Sequence, residues 1–419
     1  MELQQLAFSK LETLDDYDPN SMPVEQARQL IQHFLHPLEQ QETVPLHAAL
    51  HRTLAHDLLS PMNVPPHDYS AMDGYALRFA DLTGERPRLK RVGSSFAGHA
   101  FEGQLAAGEC VRIMTGAPIP HDCDCVVMQE HVQVEGDTVV VGGGHRPGQN
   151  VRLIGEDMKQ GETVLARGHR IRPVEMGLLA SLGISEIAVY RKLKVAIFST
   201  GDELQLPGKP LAAGQIYDSN RYSLFGMLSE LGADILDMGN IRDDRASLRN
   251  SLLDAASQAD VIITSGGVSV GEADYIKELL AEIGEVVFWK IAMKPGRPLA
   301  YGKIGSCHFF GLPGNPVAVM VTFHQFVRDA LRRLMGQYPK TALTFRAVCV
   351  TPIKKAPGRA EFQRGILSRN DSGELVVHTT GNQGSGVLSS MSKANCYIIL
   401  PVSQGNAEAG LSVEVQLFD

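Results

Sequence analysis

The sequence predicts a multidomain α/β plus β protein: a parallel α/β sheet domain with smaller β-rich parts on either side of it. Three observations predict it. Between Lys192 and about residue 335, short apolar strand runs alternate with amphipathic helices, the pattern of strands joined by crossover helices. In that region three polar, glycine-bearing loops each follow a strand. Outside it, at about 78–150 and 338–419, short strand runs are broken by glycine turns. A chain of 419 residues has room for roughly two to four domains.

Composition narrows the function classes. Hydrophobic residues at 44% and charged residues at 21% are ordinary for a globular chain. A net charge of −8 argues against a general nucleic-acid or membrane-surface binder, although a local basic cluster can still hold a small anion. Cys110, Cys123, Cys125, Cys307, Cys349 and Cys396 form no disulfide framework, and the Cys123/Cys125 pair lacks a second pair at zinc spacing. The N-terminal stretch has no apolar core of a signal peptide, and no run of 18 apolar residues occurs. The expectation is a cytoplasmic protein with free thiols, no membrane span and no nucleic-acid partner.

In chain order, residues 1–60 read as helical. A helix is expected at 23–34, with Val24, Ala27, Leu30, Ile31 and Phe34 on one face and Ser21 as N-cap, and a second at 46–58. The polar loop NVPPHDYSAMDGYAL follows, in which Asp68 and Asp73 either serve a site or only close Asx-turns. Strands are expected at 109–114 and 125–129, with a hairpin at 132–141 around Gly136-Asp137 and Thr115 at a strand end before Gly116. A Glu156-Asp157 pair sits in a glycine-flanked loop, and a helix at 174–182 is ended by Gly183. The return to helix marks the β part as an insertion. The expected division is 1–60 with 151–190, an inserted β domain at 61–150, an α/β domain at 191–335, and a β-barrel or sandwich at 336–419.

Within the α/β part, strands are expected at 194–199, 234–238, 261–264, 286–291 and 307–311, and helices at 219–231, 245–257, 273–283 and 316–335. The stretch DVIITSGGVSVGEAD is the centre. A β-branched strand leads into Ser265, Gly266, Gly267 and Ser269 and then into a helix, so glycine N–H groups and a helix N-terminus can face an anion. It is no Walker loop, since Glu272 stands where a lysine belongs. Ligands of open α/β sheets bind at the carboxyl ends of strands. The loops at 200–203, 265–274 and 312–316, the last holding Pro313, Gly314 and Asn315, share that edge and form a joint signal.

The motifs PPHDYSAMDGYA, RIMTGAP, GEDMKQG, FSTGDEL, IYDSNRY, TSGGVSVGEADY, AMKPGRP, LPGNP and FQRG occur in this order and span nearly the whole chain. On them the sequence resembles the molybdopterin molybdenumtransferase family, the MoeA type that also forms the E domain of gephyrin. The resemblance implies an elongated L of four domains, with an α/β domain like that of molybdopterin adenylyltransferases and a C-terminal β-barrel. It implies a homodimer whose site lies between the α/β and C-terminal domains of one subunit and the inserted domain of the other. The implied reaction converts adenylylated molybdopterin and molybdate to molybdenum cofactor and AMP, with Mg2+ as divalent cation.

The residues suit that chemistry. Lys290, Lys294, Arg297 and Arg364 offer positive charge to phosphoryl groups and an oxyanion. Asp202, Glu203, Asp243 and Asp274 offer hard oxygens to a cation. By resemblance, Lys294, Arg364 and Ser385 are assigned to molybdate, and Ser265, Gly267 and Asp274 to the pterin or nucleotide phosphates. Glu203, with Asp202 behind it, is assigned to Mg2+. Asp68 and Thr115, followed in sequence by Asp157, would approach from the inserted-domain side of the partner. Asp243-Asp244 can equally cap the following helix, Lys290 can be a solvated strand-end charge, and Arg364 can pair with Glu361 at the surface. Tyr69 stands where the family more often has Asn, and Ala318 where it usually has Ser. The alternatives are an adenylyltransferase or pyrophosphatase on the same α/β domain, or a gephyrin-like clustering scaffold. A molybdopterin adenylyltransferase is a further candidate partner.

Overall fold

The computed structural model describes residues 18–267, 275–338 and 342–418. Its central sheet runs in the order Asp234–Ile241, Lys194–Thr200, Val261–Ser265, Cys307–Leu312, Pro298–Ile304 and Glu285–Lys290. The first four strands are parallel, as expected. The expectation is corrected at the far edge, where Pro298–Ile304 runs antiparallel to both of its neighbours, Cys307–Leu312 and Glu285–Lys290. Pro298–Ile304 was not anticipated, because Gly302 interrupts its pattern and Pro295-Gly296 just before it reads as a turn.

Alternation along the strands sorts the core into two layers. Val195, Ile197, Ile263 and Phe310 lie under helices Asn220–Leu231 and Pro316–Thr322. Ala196, Phe198, Ile262 and Phe309 face helices Arg245–Gln258 and Tyr275–Ile283. Cover on both sides is why these strands read as unbroken apolar runs. The single helix expected at 316–335 is interrupted by a π-helical stretch, Phe323–Val327, before Arg328–Leu334. Gln325 O, within that stretch, accepts from Arg28 Nε at 3.0 Å.

The N-terminal expectations are half right. Helix Val24–His33 forms, but Pro23 is its N-cap and no side chain caps it, so Ser21 does not have that role. The helix expected at 46–58 does not form. Leu46–Ala48 makes one 3-10 turn, Gln41–Pro45 pairs with Glu186–Tyr190, and Leu58–Leu59 pairs with Thr163–Leu165. Ala49 and Leu54 are buried against Leu165, Ile187 and Val189, so tertiary pairing overrides the local helical spacing. His51, at φ 65°, would break a helix there in any case. Helix Pro173–Ser181 is followed by Gly183 at φ 72°, as expected.

Residues 74–141 form a six-stranded sheet that includes the expected hairpin, Val132–Glu135 with Thr138–Val141. In the C-terminal part, Ala360–Arg369, Leu375–Thr379, Thr344–Cys349, Ser412–Leu417 and Cys396–Leu400 pair in that order, and the last returns to the first. The closed ring makes this a barrel and not a sandwich. Met293–Lys294, from the α/β part, adds in parallel beside Ala360–Arg369 and ties the barrel to the sheet. Among the described residues no helix is long and apolar enough to cross a membrane.

Candidate functional site

The register aligns Ser199, Ser265 and Leu312, so the loops after these strands emerge along one sheet edge, as the sequence implied. In the first loop Gly201, at φ 148°, lies beneath the Glu203 carboxylate, and a Cβ there would come within 2.5 Å of Oε2. Asp202 and Glu203 are exposed. Asp243 sits near them with its pKa raised by partial desolvation and then by the charges of Asp202 and Glu203. Because Asp243 is itself exposed, carboxylate crowding is the firmer cause. Thr200 is close enough to pull that pKa partly back, yet its buried Oγ1 makes no hydrogen bond of good geometry among the described residues. The Asp243-Asp244 alternatives separate: Asp244 Oδ1 accepts from Ser247 N–H at 2.9 Å and caps Arg245–Gln258, while Asp243 stays with the acidic group. Among the described residues no three His, Cys, Asp or Glu side chains are arranged to hold a metal by themselves. Asp274, Ser269 and Glu272 lie outside the described residues.

The glycine loop needs its glycines. Gly266 has φ 89°, and a Cβ on it would sit 2.7 Å from Thr200 O; one on Gly267, at φ 66°, would strike the Ile276 side chain. One expectation is corrected. The Gly266 N–H donates to Leu312 O at 3.2 Å, so it is spent on joining two strand ends and is not free for an anion. Ser265 is buried at the strand end.

The cations are placed by the turn after Glu285–Lys290 and by the barrel. Lys290 ends its strand, and its N–H donates to Pro19 O at 2.7 Å. Arg297 is exposed. Lys294 Nζ lies 3.4 Å from Glu361 Oε1. Arg364 is only 1% exposed; its Nε donates to Ser390 Oγ at 3.0 Å and its Nη2 to Gly384 O at 3.1 Å. Burial lowers the guanidinium pKa from its usual value. The surface pair of Arg364 with Glu361 does not form. Strand alternation puts Glu361 and Gln363 on one face, joined by a 2.7 Å hydrogen bond, and Arg364 on the other with Phe362.

Helix Pro316–Thr322 is the meeting point of these parts. Val317 N–H donates to Ser385 O at 3.0 Å, and Gly384 beside Ser385 receives Arg364. Gly296, at φ 97°, passes so close that a Cβ would lie 2.5 Å from Thr322 Oγ1. Just before the helix, Pro313 is buried while Gly314 and Asn315 are exposed. The structure therefore gathers the 294–297 turn, the 313–315 loop, and Arg364 with the 384–385 turn around one helix.

Thr115 and Asp157 lie elsewhere, in a cavity of about 800 Å3 also lined by Val64, Tyr69, Arg152 and Glu156. Asp68 stands beside it, its Oδ1 accepting from Ile154 N–H at 2.7 Å. Asp73 Oδ1 accepts from the N–H and hydroxyl of Thr115 at 2.8 and 2.7 Å, which holds the Asp73 pKa low. None of these three bonds is a local Asx-turn; all brace the cleft across long sequence separations.

Three family models match in sequence order: "MoeA N-terminal region (domain I and II)" over 22–183, "Probable molybdopterin binding domain" over 196–333, and "MoeA C-terminal region (domain IV)" over 346–418. A molybdopterin molybdenumtransferase of Haemophilus influenzae is 47% identical over 382 residues, covering 91% of this chain and 94% of that protein. The chain belongs to the MoeA family. A Bacillus subtilis relative of the same name is 33% identical, covering 94% of both chains. The crystal structure of a MoeA protein from Pyrococcus horikoshii matches with a TM-score of 0.83 at 30% identity, over 95% of this chain and 100% of that one.

Sequence reasoning gave no role in this MoeA site to the residues that brace it. Asp218 is buried, accepts from Ser199 Oγ at 3.0 Å and from Arg221 Nε at 3.0 Å, and Arg221 reaches on to Asp237 at 2.6 Å. Asn220 Nδ2 donates to Gly314 O at 2.7 Å and so fixes the 313–315 loop. The available signal was the run Asp218-Ser219-Asn220-Arg221, polar residues set against an apolar helix stripe.

Proposed function

We propose that the chain is a molybdopterin molybdenumtransferase that converts adenylylated molybdopterin and molybdate to molybdenum cofactor and AMP. The observation that carries this reading is the convergence on helix Pro316–Thr322 of cation-bearing segments from the sheet and the barrel. An oxyanion and a phosphoanhydride both call for such a setting of charge and close backbone. Lys294, Arg364 and Ser385 take molybdate in this reading. Ser265, Gly267, Asp274, Lys290, Arg297 and the 313–315 loop take the pterin and its phosphates. Residues 61–150, 191–335 and 336–419 act as separate domains on the segment formed by 1–60 and 151–190.

Asp202 and Glu203 would hold Mg2+. The donor set fits, being hard oxygens whose crowding already raises the neighbouring Asp243, and Mg2+ commonly uses one or two carboxylates together with substrate phosphates. When bound, the cation supplies charge neutralisation at the phosphoanhydride oxygens. Asp68, Thr115 and Asp157 act from a second copy of the chain. Support for a homodimer comes from their cleft, whose lining, among the described residues, includes none from the α/β sheet edge. Exposed Ile216, Tyr217, Tyr222 and Phe225 add apolar surface that a second copy can cover. The setting is cytoplasmic, with an adenylyltransferase as upstream partner.

An adenylyltransferase or pyrophosphatase on the same sheet would need neither the inserted cleft nor the barrel loop, and a clustering scaffold would need no turnover. Incubation with adenylylated molybdopterin, molybdate and Mg2+, followed by mass spectrometry, tests the reading. AMP release with metal insertion supports it; no AMP in any cation would overturn it. Sedimentation under assay conditions tests the dimer, and a fully active monomer would defeat it.

A further inference from the structure

We infer that Glu361 is a positioning residue for Lys294, and that by parking this ammonium it sets how readily the site takes an oxyanion. The inference rests on the reading of Lys294 as a molybdate-binding cation. Glu361 is unusual in being a carboxylate inside a site that gathers anions, and it is buried, with its side chain 6% exposed. One oxygen, Oε2, is fixed by Gln363 Nε2 at 2.7 Å. The other, Oε1, faces Lys294 Nζ at 3.4 Å.

The arrangement is built by strand register. Lys294 and Glu361 are direct neighbours across the parallel pairing of Met293–Lys294 with Ala360–Arg369, so their side chains leave the sheet together. Lys355 lies close enough to Glu361, Arg359 and Lys294 to feel the charge of each. Lys355 is buried, and its Nζ is committed to the carbonyls of Gln404 and Ala356 at 2.7 and 3.2 Å. Lys294 is the movable partner, with a side chain 48% exposed on a flexible stem.

A dianion that recruits Lys294 must compete with Glu361 for it. Glu361 therefore keeps Lys294 extended towards the barrel strand in the free protein and holds oxyanion affinity below what the cations alone would give.

Glu361→Gln removes the charge and keeps a carbonyl oxygen for Gln363. The test is equilibrium dialysis of the full-length protein with molybdate at constant ionic strength, for the natural chain, Glu361→Gln, Lys294→Gln and the double variant, with thermal melts of all four. Glu361→Gln should lower the molybdate midpoint at least about threefold. In the Lys294→Gln background the same change should shift it by less than about twofold, because a residue acting through Lys294 has nothing left to act on. An unchanged or raised midpoint in Glu361→Gln overturns the inference, as does an equal drop in both backgrounds. If Lys294→Gln alone leaves the midpoint untouched, it is the reading of Lys294 that fails. Should Glu361→Gln not fold, Glu361→Asp, whose shorter reach parks the ammonium less well, is read by the same criteria.

Discussion

Arg364→Lys keeps the charge of a buried group and changes its shape. In the native protein the guanidinium donates from Nε to Ser390 Oγ at 3.0 Å and from Nη2 to Gly384 O at 3.1 Å. An ammonium at that depth can keep at best one of these directions. Hydrogen bonds from charged groups contribute about 1.5–3 kcal/mol each. The loss at Ser390 is softened, because its hydroxyl also donates to Val387 O at 2.6 Å. The stability change is therefore expected near about 1 kcal/mol, the ordinary worth of a single bond. The larger effect should fall on molybdate, which loses a planar fork able to donate two parallel bonds. Its apparent midpoint should rise more than about tenfold, or roughly 1.4 kcal/mol. The assay is a molybdate titration of cofactor formation beside direct binding of adenylylated molybdopterin, with thermal melts to follow folding. A collapse of pterin binding with an unmoved molybdate midpoint would refute the reasoning and assign Arg364 to the phosphates.

Glu203→Gln should slow AMP release at limiting Mg2+ by at least about tenfold, equal to about 1.4 kcal/mol of barrier, while the melting temperature holds or rises as repulsion at Asp243 eases. Unchanged turnover across a Mg2+ titration would remove Glu203 from the cation site. Glu175 tests the frame of the N-terminal part: bonds from the Arg172 side chain come first among the causes that bring its pKa to about 2, against 4.5 for the ordinary group. A carboxylate depressed on folding stabilises fully above the unfolded value and loses that contribution as pH falls through the folded one, so the window here is 4.5 down to about 2. Since Arg172 is largely exposed, solvent screening trims the effect, and Glu175→Gln should cost about 1–2 kcal/mol at neutral pH. Urea melts of both proteins at pH 7 and at pH 3.5 should show the gap narrowing in acid; a gap independent of pH would mean that the residue acts through packing.

How far the sequence carried depended on whether the deciding contact was local. Lys194–Thr200, Val261–Ser265 and Cys307–Leu312 were legible because burial on both faces writes continuous apolar runs, and amphipathic stripes mark the covering helices. The three edge loops were legible for the same reason, since a loop that follows a parallel strand must emerge at its carboxyl end. Asp68, Thr115 and Asp157 were singled out by polar loop chemistry and resemblance, and the structure sets them around one cleft.

Tertiary structure alone decided the rest. The chain at 46–58 has helical spacing, but the strand pairings at its two ends, with Glu186–Tyr190 and Thr163–Leu165, outweigh a propensity worth tenths of a kcal/mol per residue. The Gly266 N–H looked free until Leu312 O, from a strand some forty-five residues away, proved to accept it. Arg364 and Glu361 are near neighbours in sequence, yet strand alternation sends them to opposite faces, one to Ser390 and the other to Lys294. Residue type and spacing announce what chemistry a segment can offer. Which donor meets which acceptor is set by long-range register, and for Gly266, Lys294 and Arg364 that partner decides what remains for a ligand.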